Sequence, residues 1–594
     1  MKLNRRELLR SGVALSATSL LSCRRGIAGE ENVANSTDFP AGDQPSRDAA
    51  GTRRPDGVSY LIGMVHHNPG EPQFISKYVR ADYQKSLGWN GDAARIFIQA
   101  AVGYDGFDAE LISQDSATWA WIQRYAHNLD HRIEEHKQAG MPLYPFTDLL
   151  VVPRELAAKY GSGMRDAQGR FSIQMPQTQA VMRAQIEAVF HRFPGLDGLV
   201  TRFGETYLSD TPFHVGESPV HSAEDHTLLI QLLREEICVK RNKMLFYRTW
   251  DFDGLHTHPE LYLQATDAVE PHPNLIFSIK HTNADFLRDI PFNKTLGIGR
   301  HRQIVEVSMM QAGCYGKGAY PYYIGRGVLH GWDEMTPPQG IDHLVRSGKI
   351  CGIYMWPRGD GWGGPYISSE FWVDLNVYVI GEFGKRPWMN DRELCAEYCS
   401  QKLRLSKADA EKFYELCLLS AHATFIGAQS EIFHLAPWWQ RDDNLTSVDL
   451  RNADRQKLLA EKAACVAEWK RIESLAREIS LGDKKDREFL MVSSTYGRIY
   501  FSIVEQLWTL QFLEYEDRNE ANKQQMRASV ERYEALWKEW RQLERDYACC
   551  PTLYNTSWPQ RFPPQWREHP ADEGIHPNHD TQLVARCKAA VGLS

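Results

Sequence analysis

With 594 residues, 43% of them hydrophobic, the chain can bury a large core and is too long for one ordinary domain. Its net charge of −8 is mixed along the sequence without a basic stripe, which argues against nucleic acid as a partner. The 17 Trp and 25 Tyr offer ring faces suited to stacking on sugars, although most such rings belong to cores.

The first segment looks like a targeting signal. Arg5-Arg6 precedes a weakly apolar run, 11–22, that is too short to span a membrane. That pattern resembles a twin-arginine export signal, which places the mature protein in the periplasm or on a membrane. Leu20-Leu21-Ser22-Cys23 looks like a lipobox, with Cys23 carrying the lipid anchor; the alternative is a plain cleaved signal in which Cys23 is incidental. Residues 24–57 are rich in Ser, Asp, Gly and Pro and are expected to form a flexible tether. Of the 11 cysteines, most sit singly in helical or strand patterns, with no zinc-like CxxC pair. Cys395 and Cys399 share one helix face at a spacing typical of packing, so mostly buried free thiols are expected.

From residue 58 short apolar runs alternate with amphipathic stretches, the pattern of a parallel β/α arrangement. The expected strands are 60–65, 96–102, 143–150, 198–201, 244–247, 275–279, 304–309 and 350–355, with helices such as 116–139, 178–192 and 223–239 between them. Eight strands in about 300 residues is the size of a (β/α)8 TIM barrel, whose working residues lie at the carboxyl ends of its strands. Those ends carry His66-His67, then Arg202 and Glu205, then Arg248-Thr249-Trp250-Asp251. Lys280, His281, Asp285, Glu306, Trp356 and Trp362 follow.

Glu306 lies inside an apolar run, where a charge is costly unless paired or functional, and a buried Glu306–Arg ion pair is the competing reading. Among the enzyme motifs, a GxSxG elbow, Walker loop, GxGxxG turn and HExxH helix are all missing. Carboxylate chemistry remains, of which glycoside hydrolysis is the commonest form. The pairs His66/His67 and His256/His258 lack a further His/Asp set at metal-ligand spacing, so no metal and no cofactor is expected. Hydrogen bonds to sugar hydroxyls suit the rim histidines, His281 among them, better.

The barrel is expected to span 58–380, and 381–594 to form a helical domain with an irregular tail. Helices are expected at 392–403, 407–422, 453–479, 486–515 and 519–547. The exposed Trp and Tyr of that region leave a homodimer open.

These residues resemble glycoside hydrolase family 67, the α-glucuronidases. That family's strand ending IKNG-P, then Ile or Met, then DF is matched by Ile279-Lys280-His281-Thr282-Asn283-Ala284-Asp285-Phe286. Its Q-x-x-E-F-Q-x-x-Q is similar to Gln303-Ile304-Val305-Glu306-Val307-Ser308-Met309-Met310-Gln311, and its WRAF to Tyr247-Arg248-Thr249-Trp250. Its W-x-G-H and N-x-Y-A-F-G segments resemble Trp362-Gly363-Gly364 and Asn376-Val377-Tyr378-Val379-Ile380-Gly381. The acid-bearing segment, K-A, Asp or Asn, then S-E-G, resembles Thr201-Arg202-Phe203-Gly204-Glu205 with one residue fewer between cation and carboxylate. The family's N-terminal accessory domain has no counterpart, which makes the chain a distant relative.

The resemblance implies an inverting hydrolase that cleaves an α-linked uronic acid from a plant or algal polysaccharide. Glu205 would be the general acid, and Asp285 and Glu306 would activate a water. Arg202, Arg248 and Lys280 would grip the uronate, each with a neighbouring carboxylate as its alternative partner. Trp250, Trp356 and Trp362 would be stacking walls, with core packing as the other role. A polysaccharide lyase and a non-catalytic surface glycan-binding protein are the competing classes.

Overall fold

Eight parallel strands are hydrogen-bonded in the order β2-β1-β8-β7-β6-β5-β4-β3. They are β1 Tyr60–Val65, β2 Gly91–Asp92, β3 Phe146–Asp148, β4 Gly198–Arg202, β5 Met244–Arg248, β6 Leu275–Lys280, β7 Arg302–Ser308 and β8 Gly352–Arg358. A parallel bridge between Asp92 and Leu143 joins the two ends of this sheet. Around it, the Asp92 N–H donates to Pro142 O at 2.9 Å and the Tyr144 N–H to Asp92 O at 2.8 Å. The sheet thus curls into the TIM barrel that the β/α alternation implies.

The computed structural model describes residues 57–65, 76–94, 96–203, 211–250, 254–283, 286, 288, 290–309, 319–332, 339–358, 369–428, 430, 452–516, 518–551 and 580–593. Cys23, His66, His67, Glu205, Asp251, Asp285 and Trp362 lie outside the described residues. Among the described residues, no helix is long and apolar enough to cross a membrane.

One strand lies elsewhere than expected. The run 96–102 holds a 3-10 turn, Ile98–Ala101, and the second barrel strand is Gly91–Asp92 just ahead of it. All four residues of the turn are buried, so the run is uniformly apolar without being extended. Buried on all sides, such a segment cannot be told from a core strand by composition. The strand is glycine-led because a Cβ at position 91 would come within 2.6 Å of the Tyr144 ring.

The helices follow their signals closely. Helix α1, Ala117–Ala139, starts where the Ser116 hydroxyl accepts the Trp119 N–H at 3.1 Å and ends at Gly140, whose φ of 60° is left-handed. Helix α2 spans Pro176–Arg192, and α3, Ala223–Leu233, continues into a π-helical turn, Arg234–Val239. Helix α4, Phe371–Lys385, runs without a break through 380/381, where the domain division was expected, and packs along β8. The segment leading into β1 meets its last turn, with the Val58 N–H donating to Gly384 O at 2.8 Å.

Beyond it come α5 Asp391–Gln401, α6 Lys407–Ala428, α7 Arg455–Glu478, α8 Lys484–Tyr515, α9 Glu520–Asp546 and α10 Asp580–Val591. Consecutive helices from α5 to α9 pack on one another, apart from the joining residues outside the description. Trp372 of α4 ties this bundle to the barrel by donating its indole N–H to Ser493 Oγ of α8 at 3.1 Å. The nine described cysteines are all unbridged and six of them are buried.

Candidate active site

Side chains alternate across a strand, so each barrel strand sends every second residue into the ring. The lower interior is apolar: Ile62, Met64, Phe146, Val200, Phe246, Ile276, Ile304 and Tyr354 form one cluster. Two residues further on, toward the carboxyl ends, the same positions become Asp148, Arg202, Arg248, Ser278, Glu306 and Trp356. The chemistry begins one layer above the apolar plug because the period of two carries it there.

Glu306 on β7 is wholly buried, and both its oxygens are engaged. Oε1 accepts from Arg248 Nε at 2.7 Å and from the Ser278 hydroxyl at 2.7 Å, and Oε2 accepts from Arg248 Nη2 at 2.8 Å. Burial opposes the Arg248 charge, yet Glu306 outweighs it and holds the guanidinium above its ordinary pKa. A carboxylate has about four acceptor positions, and three donors leave room for one more. The competing reading of Glu306 as one half of a buried ion pair therefore describes its contacts.

Arg202 on β4 makes a second two-pronged pair, Nε to Asp148 Oδ1 at 2.5 Å and Nη2 to Asp148 Oδ2 at 2.6 Å. Both guanidiniums lie over one ring: Phe146 is 5.1 Å from Arg202 Cζ and 4.9 Å from Arg248 Cζ. Trp356 closes on Arg248 from another side at 5.1 Å. Its indole N–H is buried and has no acceptor among the described residues, a donor whose burial is costly until water or a ligand meets it.

Lys280 ends β6 beside Glu306, its partner in the sheet register. Its ammonium sits 3.4 Å from the centre of the Trp250 ring and 5.0 Å from that of Phe286. The His281 ring stacks on Phe286 at 5.7 Å and lies 3.4 Å from Glu306 O through Nδ1. Burial, partly countered by the Glu306 carbonyl and reinforced by Lys280, pushes His281 down to about 4. His256 is engaged by protein: Nε2 lies 3.0 Å from Thr282 O and Nδ1 3.1 Å from Thr249 Oγ1. Burial first, then Lys280, lowers it to about 3, so it is neutral.

Among the described residues the predicted ones thus gather in two groups, Arg202, Arg248 and Trp356 around Phe146 with Glu306 joined through Arg248, and Lys280, Trp250 and His281 around Phe286 and the neighbouring strand end. Sequence reasoning missed Asp148, Ser278 and Phe146. Asp148 had the signal that singled out Glu306, a carboxylate inside an apolar run (Phe146-Thr147-Asp148-Leu149-Leu150), and the same criterion finds it. Ser278 carried no signal, since one hydroxyl in a strand is ordinary.

No protein family and no curated protein matches the chain, so the likeness to family 67 rests on the motifs alone. Among solved structures, the chain is similar to a GH138 enzyme targeting pectin rhamnogalacturonan II, at 12% identity and a TM-score of 0.57 over 91% of this chain and 68% of that one. It also aligns with a Thermobaculum terrenum O-GlcNAc hydrolase mutant, at 10% identity and a TM-score of 0.37 over 90% of this chain and 96% of that one. At such identity the first likeness is one of fold.

Proposed function

We propose that the chain is a glycoside hydrolase that releases an α-linked, glucuronic acid-like sugar from a plant or algal polysaccharide or its oligosaccharides, with inversion. The observation that carries this reading is the cationic layer at the carboxyl ends of the barrel strands. Arg202, Arg248 and Lys280 converge there on aromatic rings at 3.4 to 5.1 Å. The ring faces and the Lys280 ammonium suit a sugar bearing a carboxylate, and the two guanidiniums, whose forks Asp148 and Glu306 hold, add positive charge to the same layer. The fold shared with the GH138 enzyme targeting pectin rhamnogalacturonan II supports the glycoside hydrolase class.

In this proposal Glu205 protonates the leaving oxygen, and Asp285 takes the proton from the attacking water. Glu306, with three of its acceptor positions filled, anchors Arg248 and orients that water through the remaining one. Inversion requires acid and base about 6.5–9.5 Å apart. The enzyme acts after export, tethered through Cys23; unbridged thiols suit a chain that folds before it leaves the cytoplasm.

The test is a panel of defined uronate-bearing oligosaccharides, with proton NMR reading the anomer first released. Inverted uronic acid from wild type and none from Glu205→Gln supports the scheme. An unsaturated, ultraviolet-absorbing product identifies a lyase instead, and binding without turnover on every substrate identifies a glycan-binding protein.

A further inference from the structure

His127 and His131 stand one turn apart on α1, and both are exposed. Their rings meet edge to face with centroids 4.8 Å apart. Residues four apart on a helix are neighbours, with Cβ atoms about 5–6 Å from each other, so two imidazoles so placed can reach one ion. The same spacing supplies two zinc ligands in an HExxH helix. Here the stretch reads His127-Asn128-Leu129-Asp130-His131. Asn128 stands where that motif has its glutamate base, so the ligand spacing is present and the hydrolytic group is not.

The helix holds the two rings on a fixed frame. Thr118, Ile122, Ala126, Leu129 and His136 form its buried face. His136 Nε2 lies 2.8 Å from Asp92 Oδ2 of β2, which ties α1 to the sheet. Arg192 of α2 donates to both oxygens of Asp130, Nη1 to Oδ1 at 2.8 Å and Nη2 to Oδ2 at 2.5 Å, which ties α1 to its neighbouring helix. An ion therefore meets a pair of ligands whose backbone is already ordered. Among the described residues, neither imidazole has a hydrogen-bond partner. Of the carboxylates nearby, Asp130 is engaged by Arg192 and Glu134 accepts the Gln138 amide at 3.2 Å.

Among the described residues no group of three or more His, Cys, Asp and Glu side chains could hold a metal ion. The pair thus offers two ligands and leaves the remaining positions to water, the pattern of an open site rather than a closed structural one. Imidazole nitrogen suits nickel, copper and zinc, whereas magnesium and calcium prefer oxygen. We propose that His127 and His131 chelate one divalent transition cation of that nitrogen-seeking class on the exposed side of α1. The ion bridges two turns of the helix and stays exchangeable, and Asn128 leaves it without a base for hydrolysis. This site does not depend on the uronate reading of the barrel mouth.

The experiment is equilibrium dialysis of the full, tag-free chain, stripped with a chelator, against Ni2+ alone, with Mg2+ as the control ion. Wild type should bind one equivalent of Ni2+ more than His127→Gln or His131→Gln. Each single substitution should weaken the site by about tenfold or more, because linked ligands act together, and the double substitution should lose little beyond that. Metal-free melting followed by circular dichroism should be unchanged in all three variants, since both side chains are exposed. Nickel binding equal in wild type and variants overturns the proposal. So does loss in additive halves, which marks two separate surface imidazoles, and so does Mg2+ binding that depends on the same two residues.

Discussion

Arg248 and Glu306 grip each other across β6, a strand that belongs to neither, and Ser278 of that intervening strand adds the third hydrogen bond. The pair locks three consecutive barrel strands at the layer where the proposed chemistry occurs. Breaking such a buried pair from one side costs about 3–5 kcal/mol, whereas replacing both partners by apolar residues is often neutral.

Arg248→Met should therefore lower stability by about 3–5 kcal/mol in urea denaturation, and Arg248→Met/Glu306→Leu should recover most of that loss. Uronoside hydrolysis should be absent from both. Recovery of activity along with stability would show that the pair is purely structural.

His330 supplies a pH dependence of one sign. Its Nδ1 lies 3.1 Å from Asp342 and its Nε2 3.3 Å from Asp391 at the start of α5. Hydrogen bonds to Asp342 and then Asp391 raise it to about 9, against burial. Because the folded pKa is raised, the stabilisation is complete below the unfolded value of about 6.5 and is lost as pH rises through about 9. The urea midpoint of wild type should fall over that interval, and that of His330→Gln should change less.

The buried histidines act in the opposite direction. His256 and His281 are lowered to about 3 and about 4, in both cases chiefly by burial. Their contribution is present above about 6.5 and is lost as pH falls toward those values, since the unfolded chain binds the protons first. Replacing His256 by Asn should flatten the acid limb of a midpoint-against-pH curve between pH 6.5 and 4, at a cost of about 1–3 kcal/mol at neutral pH from its lost hydrogen bonds.

In the helical region, Gly497 of α8 faces the Trp469 ring of α7 so closely that a Cβ would come within 2.2 Å of it. Gly497→Ala should destabilise by about 1–3 kcal/mol through overpacking, despite the better helix propensity of alanine. A urea midpoint unchanged or raised would mean that α7 and α8 slide apart freely.

How much of this was legible follows from period and pairing. The inward positions of Arg202, Arg248, Lys280 and Glu306 came from strand alternation and strand ends, which a sequence shows directly. Helix α1 came from its caps, Ser116 and Gly140. The second strand was misplaced because only Gly91–Asp92 is extended, too short for a period of two to register. What each charge touches was a different matter. Arg202 could have faced a substrate or Asp148, and only the strand pairing that sets β3 beside β4 decides between neighbours 54 residues apart. Lys280 resting on Trp250 is likewise a fact of tertiary geometry, since both residues qualified separately for the rim.

The two-residue β2 makes the barrel an unequal ring. The strands β5 to β7 hold one another through registers of four and five residue pairs, whereas the joint from β2 to β3 is made by three backbone hydrogen bonds, Asp92 N–H to Pro142 O, Tyr144 N–H to Asp92 O and Phe146 N–H to Ala94 O. A ring with one weak clasp opens at the clasp. Amides at Asp92, Tyr144 and Phe146 should then exchange with deuterium ahead of those in β6, which lies across the ring. Opening on that side would widen the mouth while Arg248 and Glu306 stay clamped on the far wall, so the layer that holds the two-pronged pair keeps its geometry as the ring loosens.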